Sequence, residues 1–291
     1  MKQRQAYTYA ILSVLCWSTV GSAFKLSLRY IDFLDLLLYS SFTATIVILA
    51  TVFIQKKGFL LRSMRWKDIL SSARLGLLNP FLYYVILFKA YDLLPAQEAA
   101  TLNYCWPLAL VLLSVPMLKQ KIGFMSIIAI LVSFTGIIII STHGKILDLH
   151  FSSLPGVILA VGSAVIWALF WILNLKDNRE PVIKLFLNFF FGFLYIFITV
   201  LLTGGLHIIP WQGILGSVYV GFLEMGITFV LWLKALTLSS TTAKVTNLIY
   251  LSPFMSLIFI HFFVGETIFF STFIGLVFIV GGILLQRSLK S

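Results

Sequence analysis

LGLLNPFLYYVILFKAYDLLPAQEAATLNYCWP, residues 75–107, is the stretch on which the predicted fold depends. It contains two apolar segments joined by a short polar turn, which is the pattern of a helical hairpin. The plan recurs at residues 220–253, VGFLEMGITFVLWLKALTLSSTTAKVTNLIYLSP. In both copies one polar residue interrupts an apolar helix at the same place, Asn79 in the first and Glu224 in the second. Matched polar interruptions in a duplicated helix pair are what a two-fold transport site needs.

Other matched positions extend the repeat over the whole chain. They pair Gly76 with Gly221, Lys89-Ala90 with Lys234-Ala235, Tyr104-x-x-Pro107 with Tyr250-x-x-Pro253, Ser13-x-x-x-Trp17 with Ser163-x-x-x-Trp167, and Gly136 with Gly282. We therefore predict two homologous units, residues 1–145 and 150–291. If each unit holds five spans, the odd number requires the two copies to insert upside down relative to each other.

The composition places the chain in a bilayer. Hydrophobic residues make up 60% of the 291 residues and charged residues 11%, and the mean hydropathy is +1.04. A soluble domain could not cover that much apolar surface with so few charges. Long continuous apolar runs favour helices over a β-barrel. We expect an all-α membrane protein of ten transmembrane helices, arranged as two inverted five-helix repeats around a central cavity.

The distribution of basic residues predicts the orientation. The predicted spans are 7–26, 33–54, 69–91, 95–118, 122–141, 154–174, 182–203, 213–236, 240–264 and 268–287. The first has no small-residue cleavage site, so we interpret it as a spanning helix and not as a removed signal peptide. With the N-terminus inside, 17 Lys and Arg residues lie on the cytoplasmic side and 4 on the other. This predicts a multi-pass protein of the cytoplasmic membrane with both termini cytoplasmic.

Glu224 is the sharpest candidate for chemistry. A charge near the middle of a span costs roughly 2.5–3.5 kcal/mol on insertion scales, so such a residue usually faces a cavity or a partner. It could bind a substrate amine or take up a proton, although a role in helix packing is the alternative. Asn79 lies at the matching depth, and Pro80 after it frees a backbone carbonyl, which is tolerated where helices line a cavity. A simple packing kink explains Asn79 and Pro80 equally well.

Aromatic and small polar residues inside the spans complete the predicted binding site. Their depth sets them apart from interfacial aromatic belts, although aromatic residues in helices more often serve packing alone. The predicted substrate-binding residues besides Glu224 and Asn79 are Trp17, Tyr83, Asn103, Tyr104, Trp106, Trp167, Trp171, Asn247 and Tyr250. Pro80, Pro107 and Pro253 are predicted to shape the helices.

Several function classes find no support in the sequence. The net charge of +11 does not indicate nucleic-acid binding, because the basic residues lie in short connections, where they can contact anionic head groups. The cysteines and histidines lack the spacing of a disulfide framework or a metal site. No phosphate-binding loop or nucleophile elbow is present. We predict no enzymatic activity, catalytic residue, metal or cofactor.

Several short motifs resemble the EamA-type drug/metabolite transporter superfamily. They are Trp17-Ser18, Asn103-Tyr-x-Trp-Pro107 and Gly265-Glu266 before the tenth span. Within that superfamily, Glu98 and Gln120-Lys121 are most similar to aromatic amino-acid exporters. The resemblance covers essentially the whole chain. It implies a basket of ten helices with a cavity lined by spans one, three, four, six, eight and nine, and export of amino acids or related metabolites. It assigns no role to Glu224.

The sequence therefore predicts a secondary carrier that exports small metabolites, with amino acids as the preferred class, by alternating access. Its expected partners are a small-molecule substrate and the lipid bilayer, with protons as a candidate coupling ion and no nucleic acid. The alternatives are a passive facilitator or an importer of another small metabolite. A membrane-embedded enzyme or a lipid-handling protein is a further alternative, less favoured because no two reactive groups lie close together.

Overall fold

The computed structural model describes residues 2–118, 124–145, 152–239 and 247–288. The regular secondary structure within these ranges is helical, without a β-strand. The α-helices are α1 (Lys2–Ser27), α2 (Phe33–Ile54), α3 (Phe59–Arg62), α4 (Trp66–Gly76), α5 (Tyr83–Leu93), α6 (Ala96–Asn103), α7 (Trp106–Leu118), α8 (Phe124–Ser141), α9 (Leu154–Leu175), α10 (Pro181–Thr203), α11 (Trp211–Tyr219), α12 (Thr228–Leu238), α13 (Ser252–Phe259) and α14 (Phe270–Ser288).

Irregular helical segments connect several of these helices. The first π segment (Leu77–Leu82) joins α4 to α5, and the second π segment (Val220–Ile227) joins α11 to α12. A 3₁₀ turn (Asn247–Leu251) precedes α13, and a third π segment (Ile260–Val264) follows it. The predicted polar interruptions therefore lie in the first and second π segments. Such turns are rare and are frequent at functional sites.

Most of the helices are suited to a bilayer. The helices long and apolar enough to cross one, among the described residues, are Lys2–Ser27, Phe33–Ile54, Trp66–Leu93, Ala96–Met117, Leu154–Asn174, Pro181–Thr203 and Trp211–Leu236. Three shorter apolar helices are Ile127–Ser141, Leu248–Val264 and Phe270–Leu285. These segments overlap the ten predicted spans, and membrane crossing by the three short ones stays a prediction.

The helix ends meet in two groups at opposite ends of the bundle. End A holds the contacts Lys25–Leu94, Asp35–His207, Ala96–Glu266 and Glu98–Ser152. End B holds the contacts Gln3–Ser239, Lys57–Glu180, Asp68–Arg179 and Met117–Lys176. Consequently α1 and α10 run from end B to end A, whereas α2 and α9 run from end A to end B.

An arginine organises part of end B. The Arg179 guanidinium binds the carboxylate of Asp177 and donates a 2.6 Å hydrogen bond to the Asp68 carbonyl. Burial alone would raise the pKa of Asp177, but the hydrogen bonds and charge of Arg179 outweigh it and hold that pKa below its ordinary value. The charged pair therefore ties the α9–α10 connection to the start of α4.

The first and second halves of the chain pack against each other reciprocally. Helix α1 contacts α12 and α13, while α9 contacts α5, α6 and α7. Helix α2 contacts α10 and the second π segment, while α10 contacts α2, α4 and the first π segment. Helix α8 packs along α14. Most of these contacts join one half to the other.

Two glycines allow the backbones of the two halves to approach closely. A Cβ at Gly76 would lie 2.5 Å from the Asn188 carbonyl oxygen on α10. A Cβ at Gly221 would lie 2.3 Å from the Ser40 carbonyl oxygen on α2. Neither contact is with a flexible side chain that could move aside, so any larger residue must push two helix backbones apart. The sequence repeat pairs these two glycines with each other.

We expect the Gly76→Ala and Gly221→Ala variants each to lose about 1–3 kcal/mol of unfolding free energy, because overpacking shifts backbone. Gly162→Ala and Gly281→Ala are matched controls, since a Cβ at either position meets nothing within 4 Å. Thermal unfolding of the purified protein in detergent measures the difference. If all four variants unfolded at the same temperature, the close helix contacts described here would be wrong.

Candidate functional site

A cavity of about 560 Å³ lies among the helices of both halves. Its first-half lining comes from α1, α5, α6 and α7, and its second-half lining from α9, the second π segment, α12, α13 and α14. Small-molecule sites typically occupy about 300–1,000 Å³, so the cavity has the size of one metabolite.

Glu224 is the buried carboxyl of this cavity. The side chain is only 7% exposed, and its Oε1 accepts a 3.1 Å hydrogen bond from the Tyr84 hydroxyl. Its Oε2 has no hydrogen-bond partner among the described residues. A buried carboxyl oxygen without a partner is costly, because the group has left water without a replacement. Oε2 is therefore a strong acceptor that no described residue satisfies.

Helix α5 positions the partner of Glu224. Tyr84 is fully buried, and its ring centroid lies 4.6 Å from that of Tyr83 and 5.4 Å from that of Phe88. These contacts fix the ring, so the hydroxyl is held where the second π segment presents Glu224. The hydrogen bond therefore joins the third predicted span to the eighth.

Aromatic rings form much of the remaining lining. The ring centroids of Trp17 and Trp232 are 5.4 Å apart. The ring centroid of Trp167 lies 4.6 Å from that of Tyr83 and 5.8 Å from that of Trp171. Trp167 and Trp171 are four residues apart on α9 and share one face of that helix, as their spacing predicts. Rings held by other rings make a rigid lining.

A polar chain crosses the cavity beside these rings. The Tyr83 hydroxyl donates to Asn103 Oδ1 at 3.4 Å, and Asn103 Nδ2 donates to Ser163 Oγ at 2.8 Å. The Tyr104 hydroxyl donates to the Ile249 carbonyl. The helix of the predicted fourth span is interrupted at this level, because α6 ends at Asn103 and α7 begins at Trp106. The predicted span 95–118 matches the apolar segment Ala96–Met117, which consists of the two helices α6 and α7.

Most of the predicted site residues border the cavity. The lining includes Trp17, Tyr83, Asn103, Tyr104, Trp106, Trp167, Trp171, Glu224 and Tyr250, together with Pro107 and Pro253. The side chain of Asn247 lies outside the described part of the chain, as do Gln120 and Lys121. What these positions bind stays a prediction.

Asn79 and Pro80 are placed elsewhere. Asn79 is fully buried, and neither amide atom has a hydrogen-bond partner among the described residues. Its backbone leaves helical geometry, with φ −146° and ψ 121°, one residue before Pro80. The Pro80 ring packs against Gly192 of α10, where a Cβ would lie 2.4 Å from the proline Cδ. Neither residue belongs to the cavity lining, so the alternative of a packing kink describes this position better.

Trp232 is a lining residue that the sequence reasoning missed. It packs on Trp17 and borders the cavity. The repeat offset of 145 pairs it with Leu87, which also lines the cavity but was not predicted either, so the repeat alone did not mark this position.

The EamA-like transporter family matches residues 4–142 and 154–287. The chain belongs to this family. It is a multi-pass membrane protein, and its family membership indicates a transporter and not an enzyme. Among the described residues of this EamA-like transporter, no group of three His, Cys, Asp or Glu residues could hold a metal ion.

Several relatives of this EamA-like transporter carry the name "Uncharacterized transporter". A Clostridium kluyveri protein is 28% identical over 59% of this chain and 57% of its own length. The Bacillus subtilis transporter YvbV is 27% identical over 77% of this chain and 72% of its own. An Archaeoglobus fulgidus protein is 23% identical over 95% of both chains. A crystal structure 22% identical in sequence covers 98% of both chains with a TM-score of 0.67, which shows the same fold.

Proposed function

We propose that this transporter is a secondary carrier that exports small metabolites with an amino group, the class that includes the predicted amino acids, by alternating access. The observation that carries the proposal is the Glu224 carboxyl, which borders an aromatic cavity with one oxygen unpartnered among the described residues. An ammonium group supplies both the charge and the hydrogen-bond donors that this oxygen lacks.

The shared lining supports alternating access. Trp17 and Asn103 come from the first half, and Trp167, Glu224 and Tyr250 come from the second. When one unit rotates against the other, a ligand held between them becomes accessible from the opposite side of the membrane. The ligand can stay bound during this rotation. A cavity within one half would not have this property.

The arrangement of the halves supports ten spans in two inverted repeats. The family matches the chain in two segments, 4–142 and 154–287, close to the proposed units 1–145 and 150–291. Helices α1 and α9, which begin the two units, run in opposite directions, and so do α2 and α10. The reciprocal packing of α1 with α12 and α9 with α5 is what a two-fold relation produces.

Hydrogen bonds at end A join the two halves. Glu266 Oε1 accepts from the Ala96 amide at 2.8 Å, and its Oε2 accepts from the Gln97 amide at 3.2 Å. Gln97 Nε2 donates to the Thr267 carbonyl at 2.9 Å, and its Oε1 accepts from the Phe269 amide at 2.8 Å. We call these five residues the end A lock. A carrier that opens at end A must break it.

Two further contacts reinforce the end A lock. Glu98, fully buried, accepts from Ser152 Oγ at 2.8 Å and lies 3.0 Å from His143 Nε2. Arg29 donates to the Val264 carbonyl at 2.8 Å. The Glu98–Ser152 and Arg29–Val264 hydrogen bonds join the first half to the second, so separation of the halves at this end has to break them too, whereas His143 belongs to the first half like Glu98.

Orientation and coupling complete the proposal. The distribution of Lys and Arg supports an orientation with both termini in the cytoplasm, in which end B faces the cytoplasm and end A faces the outside of the cell. Protons are the proposed coupling ion, with Glu224 as the group that exchanges a proton for the substrate. Tyr83, Tyr84 and Tyr91 are the neighbouring titratable groups in or next to the lining.

We expect Glu224→Gln to lower counterflow in proteoliposomes by at least about ten-fold, because a charge-assisted hydrogen bond contributes about 1.5–3 kcal/mol. The amide still accepts from Tyr84, so the fold should persist. Labelled L-phenylalanine and phenethylamine are the probes, since they share a body and an amino group.

Asp92→Asn is the matched control for this experiment. It removes a carboxylate from an exposed ion pair with Lys89 on one helix, which contributes little to stability. It should transport like the wild type. Equal transport by wild type and Glu224→Gln would contradict the assignment of Glu224, and no movement of either probe by the wild type would contradict the proposed function.

Glu266→Ala should populate the form open at end A, because it removes the cap that joins α6 to the loop before α14. The readout is labelling of Leu87→Cys, a buried cavity position, by a membrane-impermeant maleimide added on the end A side. Cys16 and Cys105 are first replaced by serine. We expect labelling several-fold faster than without the Glu266 substitution.

Asp92→Asn again serves as the control, since Asp92 lies at end A but its ion pair with Lys89 stays within the first half. Unchanged labelling in Glu266→Ala would show that the end A lock does not hold this end closed.

A further inference from the structure

We infer that the cavity selects organic cations, namely protonated amines on an aromatic or apolar body without a free carboxylate. The inference rests on the proposed function and narrows its substrate class. Its starting point is Glu224 Oε2, an acceptor without a partner among the described residues, in a side chain that is only 7% exposed and borders the cavity.

Three tyrosine hydroxyls of the site are committed to other groups. Tyr84 donates to Glu224 Oε1, Tyr83 donates to Asn103, and Tyr104 donates to the Ile249 carbonyl. Tyr91, whose hydroxyl has no hydrogen bond among the described contacts, also lines the cavity, so a ligand and Tyr91 are the two sources of a donor for Oε2. A ligand ammonium provides N–H donors and a charge opposite to that of a carboxylate, and such charge-assisted bonds are about twice as strong as neutral ones.

The aromatic lining favours the same ligand. Indole and phenol rings attract a cation placed over their faces, with energies of about 0.5–2 kcal/mol that grow when the site is dry. Trp17, Trp167 and Tyr83 lie around the cavity, and Phe229, five residues after Glu224, packs edge-on against Trp17 at 6.3 Å and Trp167 at 5.7 Å. The inferred ligand therefore carries its ammonium group on an aromatic or apolar body that the cavity lined by Trp17, Trp167, Tyr83 and Glu224 can enclose.

A free α-amino acid fits this site less well. Its carboxylate is attached to the carbon that bears the ammonium group, so pairing the ammonium with Glu224 brings two carboxylates together. Like charges juxtaposed in a desolvated site cost several kcal/mol. The same molecule with its carboxylate removed or neutralised does not carry this cost. The discrimination is against the ligand's negative charge and not against its size.

Four compounds with one phenyl body separate these contributions. Phenethylamine has the ammonium alone, L-phenylalaninamide adds a neutral substituent, L-phenylalanine adds a carboxylate, and 3-phenylpropionate has only the carboxylate. Binding to the detergent-purified protein is measured by isothermal titration calorimetry. We expect both amines without a carboxylate to bind at least about ten-fold more tightly than L-phenylalanine, and 3-phenylpropionate not to bind.

Two variants identify the groups responsible. Glu224→Gln should weaken both amines and reduce their advantage over L-phenylalanine, because the repelling charge is gone. Trp171→Leu should weaken the binding of phenethylamine more than that of its neutral isostere 2-phenylethanol. The substitution removes an aromatic ring face, and only the ammonium compound gains a cation–π attraction from that face. Size-exclusion profiles and unfolding temperatures of both variants confirm that they are folded.

The outcomes distinguish the inference from the proposed function. L-phenylalanine binding as tightly as phenethylamine, no binding of any amine, or the same ratio in Glu224→Gln would each overturn the inference. Counterflow of the same compounds in proteoliposomes tests the function separately. Preferred transport of L-phenylalanine would keep the carrier and overturn the cation preference, whereas tight amine binding without any transport would overturn the carrier.

Discussion

The hydrogen bond from Tyr84 to Glu224 is the contact on which the structure of the site depends. It joins α5 of the first half to the second π segment of the second half, and it satisfies one oxygen of a carboxyl buried among aromatic rings. A carboxyl at this depth costs stability, so a chain selected only for packing would place an apolar residue there. The second oxygen has no partner among the described residues. A role as a ligand contact explains why a costly carboxyl is kept at this position.

Close helix packing on one side and an open cavity on the other arise from the same segment. Gly221, the second residue of the second π segment, lets the backbone of that segment approach α2, while Glu224, three residues later, borders the cavity. Gly76, the last residue of α4 before the first π segment, makes the matching approach to α10, but Asn79 is buried away from the cavity lining. The two copies share a close glycine contact with a neighbouring helix. They differ in whether the polar residue three positions later borders the cavity, as Glu224 does and Asn79 does not. End A is meanwhile held by hydrogen bonds between the halves, which water can replace more readily than it can replace a packed apolar interface.

The sequence predicted the helices well because apolar runs and basic connections are local signals. It also predicted the cavity residues Trp17, Tyr104 and Trp167 from their depth in the spans. It treated Asn79 and Glu224 alike, because their difference depends on how each helix is rotated by its partners. The interruption after Asn103 comes shortly before Pro107, the local signal from which the sequence predicted that the helix is shaped there. Contacts at end A join residues far apart in the chain, such as Glu98 with Ser152, and need the tertiary fold to be seen.

Ligand recognition by this cavity requires that a ligand entering it contact the Glu224 carboxyl. Infrared difference spectroscopy of the purified protein measures this directly, because carboxyl bands shift when the group gains or loses a hydrogen bond or a proton. On addition of phenethylamine, the account predicts a change in the carboxyl bands of the wild type that is missing in Glu224→Gln. An identical difference spectrum in both proteins, or none in either, would contradict it.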